Sequence, residues 1–161
     1  MKITKVTPWL ISAPKPYLDT ANDNKGPRQL GEYVFVEVST DEGVTGWGEI
    51  TGTFPVANRS VCAALRHVSD LIKGDDPRLI EMIWNKIFRA YTYMGSRGAT
   101  TNMISAIDIA LWDIRGKVLE LPISELFGGP VRDGVPIYCH PQNGSSIEDL
   151  SQHVKAIVET G

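Results

Sequence analysis

Carboxylates, lysines, two cysteines and three histidines are side chains of this chain that could do chemistry, and their spacing decides what kind. Asp108 stands one helical turn before Trp112, and Asp113 one turn before Lys117. At i, i+4 the second pair reads as an intrahelical ion pair worth about 0.3 kcal/mol if exposed. Ala106, Ala110 and Gly116 on the same run are small enough for close packing against a neighbour, so this segment reads mainly as packing. His67 and His153 fall inside helix-period segments and are expected at a surface or interface, whereas His140 follows the apolar run 135–139. Glu49 ends a strand and is expected to cap or to pair. Cys62 and Cys139 lack the spacing of a zinc site or redox pair, and each reads as a small buried hydrophobe in a reducing compartment. Gly95-Ser96-Arg97-Gly98 lacks the spacing and preceding strand of a phosphate cradle, so it reads as a turn.

The elements that must position these groups are legible from periodicity. Residues 2–11 are rich in strand formers, with Pro8 marking an edge or a bulge. Residues 14–31 read as a long loop, either a functional lid or a disordered segment. Alternation over Glu32–Ser39, turn chemistry at Thr40-Asp41-Glu42-Gly43 and a return over Val44–Glu49 predict a three-stranded antiparallel meander. Helices follow. Val61, Leu65, Val68, Leu71 and Ile72 share one face before the stop at Gly74. Asp76 as cap with Pro77 at the first helical position predicts a second helix, its face formed by Leu79, Ile80, Ile83, Ile87 and Phe88. A third runs from about Thr100 to Leu119 with the stripe Ile104, Ile107, Ala110, Leu111, Ile114 and Val118. A short helical turn from Pro122 ends at Gly128-Gly129-Pro130. Then come a strand over Val135–Cys139, a capping box at Ser145-Ser146-Ile147-Glu148 and a last helix, which together make half of a βαβ unit. A parallel strand needs neighbours on its edges, so the chain is expected to be a fragment of a longer protein.

A net charge of -3 leaves no basic stripe, which argues against a nucleic-acid partner. No apolar run approaches the roughly 18 residues of a membrane span, and the amino terminus has no secretory apolar core. Cytoplasm is the expected compartment.

Residues 105–117 (SAIDIALWDIRGK) followed by 121–129 (LPISELFGG) resemble the signature of the mandelate racemase/muconate lactonizing family of the enolase superfamily. The segment Val36 to Glu49, ending Gly46-Trp47-Gly48-Glu49, resembles that family's amino-terminal meander, and residues 132–138 resemble its crossing from cap into barrel. The resemblance implies an α+β fold in which a three-stranded antiparallel meander is followed by a helical bundle, the enolase N-terminal-like cap, over residues 1–130. Residues 131–161 would then be the first β/α unit of a (β/α)7β barrel. It further implies a Mg²⁺-dependent enzyme that abstracts the proton α to a carboxylate, the metal stabilising the enediolate. The metal ligands and catalytic bases lie on later barrel strands, so no catalytic residue and no metal ligand is expected within the chain.

What the cap contributes in this family is specificity, through two loops over the barrel mouth. Residues 14–30 and 51–57 match these loops by position, which makes Tyr17, Arg28, Thr53 and Phe54 candidates to face substrate. Arg28 suits an anionic, hydroxylated acid. His140, at the carboxyl end of the first barrel strand, matches a histidine that touches substrate in acid-sugar dehydratases of the mannonate/galactonate type. Thr53 stands where an asparagine is expected, so the resemblance leaves the particular acid open. The implied reaction is dehydration of a sugar acid by a homo-oligomer. A racemase or cycloisomerase on the same scaffold, or a non-catalytic cap-like binding module, are the alternatives.

Overall fold

The structure, a computed structural model, describes residues 1–14, 30–51, 55–95, 97–138 and 146–159. Met1–Ala13 with Gly31–Gly129 form one compact unit, and the residues from Pro130 onward belong to a second. Each is described by itself.

In the first unit, period-two alternation builds β1 (Ile3–Pro14), β2 (Leu30–Thr40) and β3 (Thr45–Ile50), in spatial order β1-β2-β3. β2 and β3 pair antiparallel from Val34↔Ile50 to Ser39↔Thr45. The turn between them relies on Gly43 at φ +80° and on Thr40 Oγ1, which donates to Val44 O at 2.8 Å. Asp41 N donates to Lys2 O (2.9 Å) and Thr4 Oγ1 to Ser39 O (3.1 Å), tying the start of β1 to the end of β2. The expected antiparallel meander is therefore present. Pro8 lies on an edge strand, where a missing amide hydrogen is tolerated. β1 and β2 both extend further than periodicity suggests and flank residues 15–29 directly.

Val34, Val36 and Val38 point inward from β2 and meet three helices: α1 (Pro55–Ile72), α2 (Ile80–Ala90) and α3 (Ala99–Leu119). On α1, Val61, Leu65, Val68 and Ile72 are buried, each side chain stabilising the fold by about 1.5–3 kcal/mol through removal from water. α3 buries its expected stripe from Ile104 to Ile114, but Val118, in its last turn, is exposed. Glu120 closes α3 in the left-handed conformation, and α4 (Ile123–Leu126) follows.

α2 begins at Ile80, three residues later than the cap-and-proline signal indicates. Asp76 caps a turn instead. Its Oδ1 accepts from Arg78 N at 3.0 Å, its Oδ2 accepts from Arg78 Nη2 at 2.6 Å, and Leu79 N closes onto Asp76 O at 3.0 Å. The Arg78 side chain, then its backbone amide, holds the Asp76 carboxyl down to about 2. A pKa lowered by folding means stability that is complete above about pH 4 and lost as pH falls toward 2. Asp76→Asn should therefore flatten part of the acid limb between pH 4 and 2. The loss should stay under about 1 kcal/mol, because the pair is at the surface. Urea midpoints of both proteins at pH 5 and pH 2.5 check this.

In the second unit, α5 spans Ile147–Glu159. Ser146 Oγ accepts from Asp149 N at 3.1 Å, so the cap falls one residue after the predicted box. Residues 135–138 of the expected strand lie in no regular element, and Cys139 lies outside the described residues. A strand is defined by a ladder, and Ile137 and Tyr138, 79% and 83% exposed, have none among the described residues.

Candidate functional site

Gly46 and Gly48 face inward on β3, and what they meet is the backbone of α3. A Cβ on Gly48 would run into the Ala106 carbonyl oxygen and stand 2.8 Å from its carbonyl carbon, while one on Gly46 would run into Ala110 O. Neither glycine has positive φ, so what they provide is the absence of a side chain. Ala106 and Ala110, two of the three small residues expected to permit close packing, thus meet glycines one strand-period apart, at one helical turn's spacing on the other side, whereas Gly116 packs against Leu121 O and Ile123.

This approach lets α3 side chains satisfy the outer edge of β3, which among the described residues has no strand beyond it. Trp47 N donates to Asp113 Oδ2 at 2.9 Å. Lys117 Nζ donates to Thr45 O and to Asp113 Oδ2, both at 2.7 Å. Asn102 Nδ2 donates to Thr51 O at 3.0 Å. The predicted Asp113–Lys117 ion pair exists, and it also closes a sheet edge. Asn102 belongs to no motif legible in the sequence, although it is one turn before Ala106 on the face that meets β3.

The opposite face of the sheet carries Trp9 and Trp47, with ring centroids 6.5 Å apart, and Trp9 Nε1 donates to Glu37 Oε2 at 2.7 Å. Glu49 lies opposite Phe35, is exposed, and has neither an ion pair nor a cap among the described residues. Phe35, directly opposite, and Glu37, two residues along β2, offer it no cation.

Antiparallel pairing puts the end of β1, the start of β2 and the end of β3 at one end of the sheet, away from the 41–44 turn. The segments matched to specificity loops therefore depart from a common end. Tyr17, Arg28, Thr53, Phe54 and His140 themselves lie outside the described residues. At that end Asn58, on α1 and 1% exposed, donates from Nδ2 to Glu32 O at 3.5 Å. His67 is exposed on α1, as expected, and Cys62 is a buried free thiol whose pKa burial pushes up. Gly95 and Gly98 adopt positive φ, consistent with a turn.

Among the described residues no group of three or more His, Cys, Asp or Glu is placed to hold a metal ion, so they do not fit a Mg²⁺ site. No described helix is long and apolar enough to cross a membrane. An open groove of about 690 Å³ beside α2 is lined by Asp75, Met82, Asn85, Lys86 and Arg89, with Lys86 Nζ 2.7 Å from Asp75 Oδ2. Asp108 borders an apolar crevice with Trp84, Ile87 and Ile104; burial, then Glu81, raises its pKa. In the groove the one described carboxylate, Asp75, is already paired with Lys86, and the crevice beside Asp108 is otherwise apolar.

Residues 15–128 match the model of the mandelate racemase/muconate lactonizing enzyme N-terminal domain. The chain is 46% identical over 109 residues to D-galactonate dehydratase of Ralstonia pickettii, covering 66% of this chain and 27% of that protein. It is 35% identical over 164 aligned residues to D-galactonate dehydratase of Pectobacterium atrosepticum, covering 100% of this chain and 36% of that one. The chain thus spans about a third of these relatives' length. Among solved structures, a Mesorhizobium loti protein provisionally described as a dehydratase superposes with TM-score 0.81 at 32% identity, covering 100% of this chain and 39% of that one. The 3,6-anhydro-D-galactonate cycloisomerase of Zobellia galactanivorans gives 0.66 at 31% identity, covering 80% and 32%.

Proposed function

The chain belongs to the mandelate racemase/muconate lactonizing enzyme family, as its N-terminal domain, and from that premise we propose that it is the substrate-selecting cap of a sugar-acid dehydratase. The observation that carries this reading is the common sheet end from which residues 15–29 and 52–54 depart, in a chain alignable over its whole length with a D-galactonate dehydratase. Residues 1–130 form the cap in this reading, and 131–161 begin the barrel. The complete enzyme is a cytoplasmic homo-oligomer.

Dehydration of a 2,3-dihydroxy acid removes the proton from C2 and hydroxide from C3. The enol left behind tautomerises to a 2-keto-3-deoxy acid, and one water is released. Arg28 binds the carboxylate of the substrate, and Tyr17, Thr53 and His140 contact its hydroxyls. The described residues offer no ligand set for the family's Mg²⁺. The ion and the proton-abstracting base are therefore assigned to the remainder of a polypeptide of the relatives' length. A cycloisomerase is the second reading, favoured by the likeness to the Zobellia galactanivorans enzyme.

The test is to assay the full-length polypeptide in D₂O with Mg²⁺ against a panel of aldonic acids that includes D-galactonate. Formation of a 2-keto-3-deoxy acid, with deuterium at C3, is the expected result. Exchange at C2 without loss of water would instead establish a racemase and sink the dehydratase reading. Arg28→Met should raise KM about 10- to 100-fold, the range that losing a charged hydrogen bond spans.

A further inference from the structure

Two asparagines reach across to backbone carbonyls at the sheet end where the two selecting segments begin. Asn102, in the first turn of α3, donates to Thr51 O at 3.0 Å, and Thr51 is the last described residue before 52–54. Asn58, in the first turn of α1, donates to Glu32 O at 3.5 Å, where β2 has just emerged from residues 15–29. The last rung of the β2–β3 ladder is Val34↔Ile50, so both carbonyls lie beyond the final strand pair. Thr51 O lies past the end of β3, and Glu32 O lies on the stretch of β2 that extends past its last pair with β3. Both donors come from helices seated on the sheet's buried face, and the neighbours of Asn102 along α3, Ala106 and Ala110, press directly on Gly48 and Gly46. An asparagine amide is suited to this task because it is short, carries a donor without charge, and keeps that donor at every ordinary pH.

We propose that Asn102 and Asn58 are positioning residues that hold the stems of the two substrate-selecting segments, at Thr51 and Glu32. The consequence for catalysis rests on the cap reading above. Neither side chain touches the substrate. They limit where the selecting residues can be, and that registers in the binding of substrate rather than in the chemical step.

Asn102→Asp tests this with the least disturbance, since the shape is kept while the donor becomes an acceptor facing another acceptor. Asn58→Asp places a carboxylate at a buried position and can unfold the cap, so Asn102 is the deciding position. In the chain of 161 residues, hydrogen exchange should speed up about five- to tenfold in peptides covering 50–57, the factor one such hydrogen bond is worth. Exchange in 104–114 should not change. In the full-length enzyme, KM for D-galactonate should rise by a similar factor with kcat within about twofold. Unchanged exchange over 50–57 overturns the proposal, and so does uniformly faster exchange through α3, which would mark a merely structural role. Faster local exchange with KM unchanged for every acid turned over leaves the stem contact standing and sinks the cap reading instead.

Discussion

Gly48→Ala should destabilise the cap by more than about 3 kcal/mol, beyond the usual range for an overpacked site. The new methyl group would meet the Ala106 carbonyl oxygen, which belongs to the middle of a hydrogen-bonded helix and has no rotamer to escape into. Relief would require β3 to lift from α3. Lifting stretches the contacts at Trp47, Thr45 and Thr51 together and opens the packing of Ile50 against the core. A domain of this size has on the order of 5–15 kcal/mol to lose. Gly46→Ala should behave similarly, its Cβ meeting Ala110 O with Ile114 Cγ1 at 2.7 Å. Gly43→Ala is the control: at φ +80° with open space around it, it should cost only about 1 kcal/mol, for backbone strain alone. Urea denaturation of the three variants decides the matter, and a Gly48→Ala loss below about 1 kcal/mol would mean that α3 and β3 are not in backbone contact.

The same contact explains what can and cannot be read from the sequence. Alternation in β2 and the stripe of α3 are local patterns, and both are legible because one face of each element is buried. The smallness of Ala106 and Ala110 is legible as well, but their partner is not. Nothing local distinguishes a glycine kept for turn geometry from one kept because a helix backbone lies against it. The start of α2 differs from expectation for a related reason. Asp76 and Pro77 suit both a helix start and a turn, and Arg78, engaging Asp76 through its amide and its guanidinium, favours the turn. Tyr17, Arg28, Thr53 and His140 lie on segments without periodicity, where residue type and family position are the available signals; all four fall outside the described residues. Asn102 can be found by projecting α3 as a helix and asking which polar residue shares the face of Ala106 and Ala110.

Asp113→Ala should cost about 1.5–3 kcal/mol, several times what an exposed i, i+4 ion pair provides. Two functions end on one carboxylate oxygen: it accepts the Trp47 amide of an edge strand, and it anchors Lys117, which in turn donates to Thr45 O. Removing it orphans one backbone donor and releases the lysine that satisfies a backbone acceptor two residues away. Asp113→Asn separates these effects. The amide oxygen still accepts from Trp47 N, so only the charge is lost, and the cost should fall to about 1 kcal/mol and shrink further in high salt. If Ala and Asn cost the same, the ion pair alone carries the stabilisation and the edge contact contributes nothing. The ordering Ala well above Asn, and little dependence on salt in the difference between them, is what an edge-closing carboxylate requires. Among the described residues β3 has no strand beyond it, so Asp113, Lys117 and Asn102 together do for that edge what a fourth strand would do.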